Sequence, residues 1–467
     1  MENRFNNLTS KEWLPFQKSW FIFKDKTSLF EKNLRFFTKS SSKNIENIFI
    51  KTDENPGLID NLCKTNHVRL CKDFSKNITF SFIDLLNIKD VTEENFESII
   101  KQTLELSKKI FEKTDEKKFL CIAAKNYLVE KKFYPFAWDI AYEISNIFSL
   151  KDEKIACVED KSFFNNQSLT NNSIFYCLYF KKDENSKNLH SKRERRYEIK
   201  SPRYNGINSK IINSWNIIKP RPRKKDEILH PAKYPEELIK IFIEKFTKEN
   251  DNVFDPMCGT GSTQVSALEN KRNAYGCELS KFFFKIASKR CNEIIDPTQP
   301  DLFSKSSKTK QKFKILNIDC RKIEKKTFPK MDYIITSPPY WDMLNVKGAE
   351  NQAKRRDKDL KLNYSNSKKD LGNITDYNEF LNELVKIYNN LIPFLKPNGY
   401  MTIIVKNIKK GGKNYPLAWD LCKELKNFIL LSEIFWLQDD QSIAPYGYGN
   451  TFVTNTFHHY CLNFQKK

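Results

Sequence analysis

From about residue 250 onward, short apolar runs ending in Gly, Asp or Ser-Pro alternate with longer stretches whose apolar residues recur every three to four positions. The runs NVFDP from Asn252, NAYGCEL from Asn273, FKILNID from Phe313 and DYIITSPPY from Asp332 predict strands, with helices from about Thr263 and through Phe284 between them. After a polar insertion from Lys347 to Lys369, the pattern predicts a helix near Tyr377 to Leu395 and a strand YMTIIVKN. A helix LAWDLCKEL and the strands LLSEIFWLQ and HHYCLNF complete it. This alternation predicts an α/β fold built on a doubly wound, mostly parallel sheet.

The first half of the chain echoes the second. Phe119 to Ile144 aligns without a gap on Tyr400 to Leu425, and both copies carry Lys-Asn followed by Tyr-Pro-x-Ala-Trp-Asp at one spacing. The run YCLYFKK from Tyr176 then mirrors YCLNFQKK at the C-terminus. The N-terminal unit is thus expected to be a degenerate half-copy of the C-terminal sheet. Between them, Lys192 to Lys225 is dense in Arg and Lys and lacks a clean period, which predicts a linker. Tyr197, Tyr204 and Trp215 among its charges make it a candidate nucleic-acid contact. The expected organisation is residues 1–190, a basic linker over 191–229, and a C-terminal domain over 230–467.

Composition narrows the function classes. At 467 residues the chain exceeds what one core organises, and 80 Lys and Arg against 58 Asp and Glu give a formal charge of +22, which favours a polyanionic partner. No basic-then-apolar leader opens the sequence and no apolar stretch is long enough for a membrane span, so a cytoplasmic, non-membrane protein is expected. The 11 Cys include no CxxC pair, and the five His show no ligand spacing, so no metal is expected.

Two motifs carry chemistry. In VFDPMCGTGST, an apolar strand ends at Asp255 and Pro256 in a turn containing Cys258, Gly259, Thr260 and Gly261 that opens a helix. Its glycines permit close backbone approach to a ligand, and its helix start offers free N–H groups. Glu278 ends the next strand, where a carboxylate can accept from ribose hydroxyls, and Asp319 ends the third, where it could hold an adenine amino group. The second motif is Ser337-Pro338-Pro339-Tyr340. Two prolines fix a donor-poor turn, so the Ser337 hydroxyl and the Pro338 carbonyl point outward as acceptors, and Tyr340 offers a flat face to an unstacked base.

Together these motifs resemble the amino-methyltransferase class of DNA methyltransferases. The resemblance runs from about His230 to the C-terminus and implies a Rossmann-like methyltransferase sheet with S-adenosylmethionine as cofactor. The segment HPAKYPEEL, from His230 and Pro231, is similar to the element that packs on the methionine end of the cofactor in such enzymes. The family implies site-specific transfer of a methyl group to the exocyclic amino nitrogen of a flipped base in double-stranded DNA. It also implies a restriction-modification setting, with a cognate endonuclease as a candidate partner. Ser at the first tetrad position goes more often with cytosine N4 in this family. Adenine N6 stays open, as does the guanine N2 of an RNA, which some similar enzymes methylate.

The sequence departs from the family in having no large block between or after the motifs to read a target sequence. The N-terminal unit, the Lys347 to Lys369 insertion and the segment Ser442 to Thr456 are left to do so. The N-terminal unit itself has neither a Gly-rich turn nor a PPY tetrad and is expected to be catalytically silent. On this reading, a chain beginning near Lys210 keeps cofactor binding and loses specific DNA affinity.

Overall fold

The structure, a computed structural model, describes residues 5–129, 132–159, 174–184, 186, 197–198, 215–218, 234–296, 310–342, 370–439 and 456–467. His230, Pro231, most of the basic arm, the Lys347 to Lys369 insertion and nearly all of Ser442 to Thr456 lie outside the described residues. The chain divides into two compact units that are not continuous in sequence. The first is Met1–Ile199 together with Asn407–Tyr415 and Gln441–His458; the second is Lys200–Lys406, Pro416–Asp440 and His459–Lys467. Two segments from the stretch 230–467, Asn407–Tyr415 and Gln441–His458, thus group with the first unit.

The first unit holds a seven-stranded sheet: β1 (Trp20–Phe23), β2 (Glu46–Lys51), β3 (Val68–Leu70), β4 (Ile78–Asp84), β5 (Thr114–Ala124), β6 (Ser149–Val158) and β7 (Ile174–Lys181). Their spatial order is β1-β6-β7-β5-β4-β2-β3. Every residue of β4 is buried, so this central strand reads as an unbroken apolar run and not as an alternation. β7 runs antiparallel to both its neighbours, whereas β5, β4, β2 and β3 are mutually parallel.

The second unit holds eight strands: β8 (Trp215–Ile217), β9 (Asn252–Asp255), β10 (Asn273–Cys277), β11 (Phe313–Leu316), β12 (Met331–Thr336), β13 (Leu395–Val405), β14 (Phe428–Leu437) and β15 (His458–Lys466). Their order is β8-β14-β15-β13-β12-β9-β10-β11. Strand for strand this repeats the first sheet, with β11 added at one edge. β15 is antiparallel to β13, as β7 is to β5. The duplication thus runs through the whole sheet, beyond the half visible as a sequence repeat, because the remaining strands keep apolar character without keeping residue identity.

Packing repeats as well. Helix α1 (Lys26–Phe37) precedes β2, and helix α5 (Glu236–Phe246) precedes β9. Each ends in Phe-Thr-Lys, and the Thr hydroxyl donates to the carbonyl four residues back, from Thr38 to Leu34 at 2.9 Å and from Thr247 to Ile243 at 2.6 Å. Phe37 packs on Phe80 and Phe119 at ring separations of 5.0 and 4.9 Å. Phe246 packs on Tyr333 and Tyr400 at 5.4 and 4.9 Å. Each unit buries its own apolar core around these rings.

Candidate active site

In the second sheet β12, β9, β10 and β11 are parallel, so the loops leaving their carboxyl ends share one edge. That edge gathers the Gly-rich turn after β9, Glu278 after β10, Asp319 after β11 and the Ser337-to-Tyr340 tetrad after β12. Such an edge is the usual ligand position in an open α/β sheet.

The Gly-rich turn is held from inside. Asp255 is fully buried. Its Oδ2 accepts from the Tyr234 and Thr263 hydroxyls, both at 2.8 Å, and its Oδ1 accepts from the Met257 N–H at 3.0 Å. Burial raises its pKa, against these donors, which lower it. Asp255, expected as a ligand-binding residue, thus spends its carboxylate on the protein and shapes the turn. Tyr234, which closes this network, sits in the segment singled out by sequence, but nothing local marks its hydroxyl. Pro256 is buried beside it, and the Cys258 N–H donates to the Cys277 carbonyl at 2.9 Å. The Cys258 thiol is buried and its pKa pushed well up by that burial, so it is no nucleophile. The Thr260 carbonyl accepts from Arg290 at 2.8 Å, and Arg290 also pairs with Glu236.

The two glycines do different work. Gly259 has φ of +53° and its N–H donates to Glu278 Oε2 at 2.8 Å. Gly261, at φ +80°, caps helix α6 (Ser262–Glu269) without a side-chain cap bond, which leaves the helix start open to a ligand. Its missing side chain makes room for a neighbouring helix, since a Cβ there would sit 2.8 Å from Ala287 Cβ. Helix α7 (Lys281–Ile295), which carries Ala287, is therefore the close approach that Gly261 permits. Gly261→Ala is expected to destabilise the protein by about 2–4 kcal/mol, from overpacking and the left-handed backbone. Denaturant titration checks this, with partial recovery expected in the Gly261→Ala, Ala287→Gly double variant. Unchanged stability of the single variant would refute the packing account.

Glu278 is half-buried, and its Oε1 accepts from the Ser280 N–H at 2.7 Å. Each oxygen thus holds one backbone donor and keeps a lone pair for another. Asp319 is less free: Arg321 grips both its oxygens, from Nε at 3.0 Å and from an Nη at 2.8 Å, and reaches on to Glu383 at 3.3 Å. Although burial acts to raise it, the Arg321 hydrogen bonds hold the Asp319 pKa below the usual carboxylate range. Sequence reasoning gave no sign of this clamp, because Glu383 lies on helix α8 (Tyr377–Leu391), 62 residues away.

In the tetrad, Ser337 Oγ lies 3.4 Å from the Tyr340 hydroxyl, and Pro338 is buried while Pro339 and Tyr340 are partly open. Burial pushes the Tyr340 pKa up to about 12, so its hydroxyl stays protonated. Trp341 follows at φ +48°, a left-handed backbone that a bulky residue adopts only under constraint, and packs edge-on against Tyr377 at 5.6 Å. On the other side the His459 ring lies 6.2 Å from Tyr340 and stacks on Trp436 at 4.1 Å. Neither His459 nor Trp436 was marked by sequence, since both read as ordinary strand residues.

The N6/N4 methyltransferase family model, described as DNA methylase, matches residues 6–289 and 331–467. The chain is 36% identical over 84 residues to the type II methyltransferase M.HindIII of Haemophilus influenzae, a match covering 18% of this chain and 27% of that protein. It is 38% identical over 89 residues to the orphan methyltransferase M.BamHII of Bacillus amyloliquefaciens, covering 18% and 33%. With the type II methyltransferase M2.LlaDCHI of Lactococcus lactis it shares 41% identity over 64 residues, covering 14% and 24%. The chain thus spans a third or less of the length of these curated relatives.

Proposed function

Because the chain belongs to the DNA methylase family, whose model matches residues in both of its sheets, we propose that it is a site-specific DNA methyltransferase acting on an exocyclic base amino nitrogen, cytosine N4 before adenine N6. The observation that carries this reading is the tetrad at the end of β12, on the same sheet edge as the Gly-rich turn and Glu278. S-adenosylmethionine fits that edge: the open start of α6 suits its carboxylate, and Glu278 suits its ribose hydroxyls. When bound, it supplies an activated methyl group on a sulfonium.

The protein's own part is positioning. The Ser337 hydroxyl and Pro338 carbonyl accept from the amino group and turn its lone pair toward the cofactor side, while Tyr340 stacks on the flipped base. No covalent nucleophile is needed. Incubating the purified protein with duplex DNA and labelled cofactor, then digesting the DNA for nucleoside mass spectrometry, tests the proposal. 4-Methylcytosine is expected; 6-methyladenine would correct the base, and no methylated base in DNA would refute the function.

Sequence recognition is assigned to the first unit and the basic arm, on the strength of the arm's charge and of the missing recognition block. No helix among the described residues is long and apolar enough to cross a membrane.

Glu278 brings a pH dependence. Burial lifts its pKa to about 7, against the Ser280 and Gly259 N–H groups, which lower it. Accepting from ribose hydroxyls requires the ionised form, so cofactor affinity is expected to fall as pH drops from 8 to 6, by up to about tenfold per unit below the pKa. Folding has its own sign: a pKa raised from 4.5 to about 7 means that the folded state favours the protonated acid. That stabilisation is present below the unfolded value and is lost as pH rises through the folded one. Calorimetry across this range checks the affinity, and a flat profile equal to that of Glu278→Gln would remove Glu278 from the site.

A further inference from the structure

The ladders fix which strand of the first sheet stands for each strand of the second, and the register within them. Phe80 lies opposite Phe119 and Tyr333 opposite Tyr400, the opening residues of the two repeat copies, so Phe80 matches Tyr333. Counting on, Asp84 falls on Ser337 and Asn87 on Tyr340. Ile48 lies opposite Phe80 as Val253 lies opposite Tyr333, so β2 takes the place of β9, and the turn after it, with Asp53 and Glu54 before the helix cap Asn55, takes the place of the Gly-rich turn before the cap Gly261. Ile48 also faces Leu70 as Val253 faces Ala274, so β3 takes the place of β10 but ends at Leu70, where β10 runs on to Cys277 and delivers Glu278. From the shared Phe-Thr-Lys ends of α1 and α5, Lys26 falls on Pro235, beside Tyr234.

These substitutions meet at one point. Lys26 Nζ lies 3.1 Å from Asp84 Oδ2, 2.9 Å from Glu54 Oε1 and 3.6 Å from Asp53 Oδ1. The three carboxylates lie within 4.8 Å of one another. Asp84 has no exposed side-chain surface, and its oxygens also accept from the Thr52 hydroxyl at 3.1 Å and the Leu86 N–H at 3.0 Å. Burial works to lower the Lys26 pKa, but Asp84, Glu54 and Asp53 together raise it, so the ammonium stays charged.

We infer that the first sheet is a methyltransferase-type sheet, lacking only the edge strand β11, whose ligand edge is closed from within by Lys26, so that each chain takes one cofactor molecule, in the second sheet. The side chain that replaces the tetrad serine, and those of the turn that replaces the Gly-rich one, are those that hold Lys26. Acidic side chains in the turn that replaces the Gly-rich one fill the space that close backbone approach to a ligand requires. The internal cation and its acids thus stand where the second sheet leaves room.

The one-cofactor statement rests on the proposed function, whereas the closure by Lys26 is tested without any cofactor. In the full chain Lys26→Ala leaves three carboxylates facing a cavity, and its Tm is expected to fall by about 10 °C. Millimolar ethylammonium should restore at least half of that fall in Lys26→Ala and none in Lys26→Met, whose side chain fills the cavity. A Tm equal to wild type, or no selective recovery by ethylammonium, would overturn the closure. Calorimetry of the wild-type chain with S-adenosylmethionine reads the rest: one site is expected, and none in Gly259→Val. Two sites, or one surviving in Gly259→Val, would overturn the closure even if Lys26→Ala fails to fold, whereas no site in wild type would refute the cofactor reading and leave the ethylammonium result to judge Lys26.

Discussion

Ser337→Ala is expected to lower the rate of methyl transfer about 10²–10³-fold, the usual effect of removing one hydrogen-bond acceptor or donor aimed at a developing charge. Cofactor affinity should change less than about threefold, because Ser337 leaves β12 while the cofactor elements leave β9 and β10. Tyr340→Ala should remove base stacking worth about 1–3 kcal/mol, whereas Tyr340→Phe keeps the ring and most of the rate. Single-turnover kinetics with saturating DNA, paired with calorimetry, separates the two effects. A folded Ser337→Ala protein with wild-type rate, or one that has lost cofactor binding, would contradict the division of labour between tetrad and Gly-rich turn.

Deleting Met1 to Ile199 is expected to yield an insoluble chain, contrary to the expectation drawn from sequence that a truncated protein keeps cofactor binding. The first unit includes Asn407–Tyr415 and Gln441–His458. Within it, Asn407 donates to Glu153 at 2.7 Å, Lys409 pairs with Asp152, and the buried His458 ring lies 2.8 Å from Ser19 Oγ and 3.4 Å from Glu153. Deletion would expose Ile408 and Phe457, both at most 5% accessible. Two such side chains cost about 3–6 kcal/mol, which is comparable with the whole stability of a typical domain. Expression and size-exclusion of the truncated chain provide the check. A soluble, folded product that binds cofactor as the full chain does would show the first unit to be dispensable for folding.

Two separate effects of the first unit are therefore entangled in any truncation. The recognition role proposed for it is better read by charge-neutralising substitutions in the full chain, whose loss of DNA affinity should steepen with falling salt.

Strand alternation, the Gly-rich turn and the proline tetrad were legible in the sequence because they depend on local chemistry. An apolar run buried on both faces, a glycine turn and a diproline look the same in any context. The repeat was legible only between Phe119 and Ile144 and again from Tyr176 to Lys182, where residue identity survived beside residue pattern. Its extension to all seven strands required the ladders, since β2 and β9 share a place in the sheet and little of their sequence.

Which elements form, which edge of the sheet gathers the two motifs, and the residue types brought there follow from local patterns along the chain. How those residues are held depends on packing between distant elements: Asp255 faces inward to Tyr234 and Thr263, Gly261 makes room for Ala287, and Arg321 holds Asp319. The physical reason is range. A turn or a strand is set by neighbours a few positions apart, whereas a buried carboxylate takes whichever donors the fold delivers, and Tyr234 reaches Asp255 from 21 residues away. The same holds for Lys26 and Asp84, 58 residues apart, whose pairing turns a second sheet of the same design into a closed one.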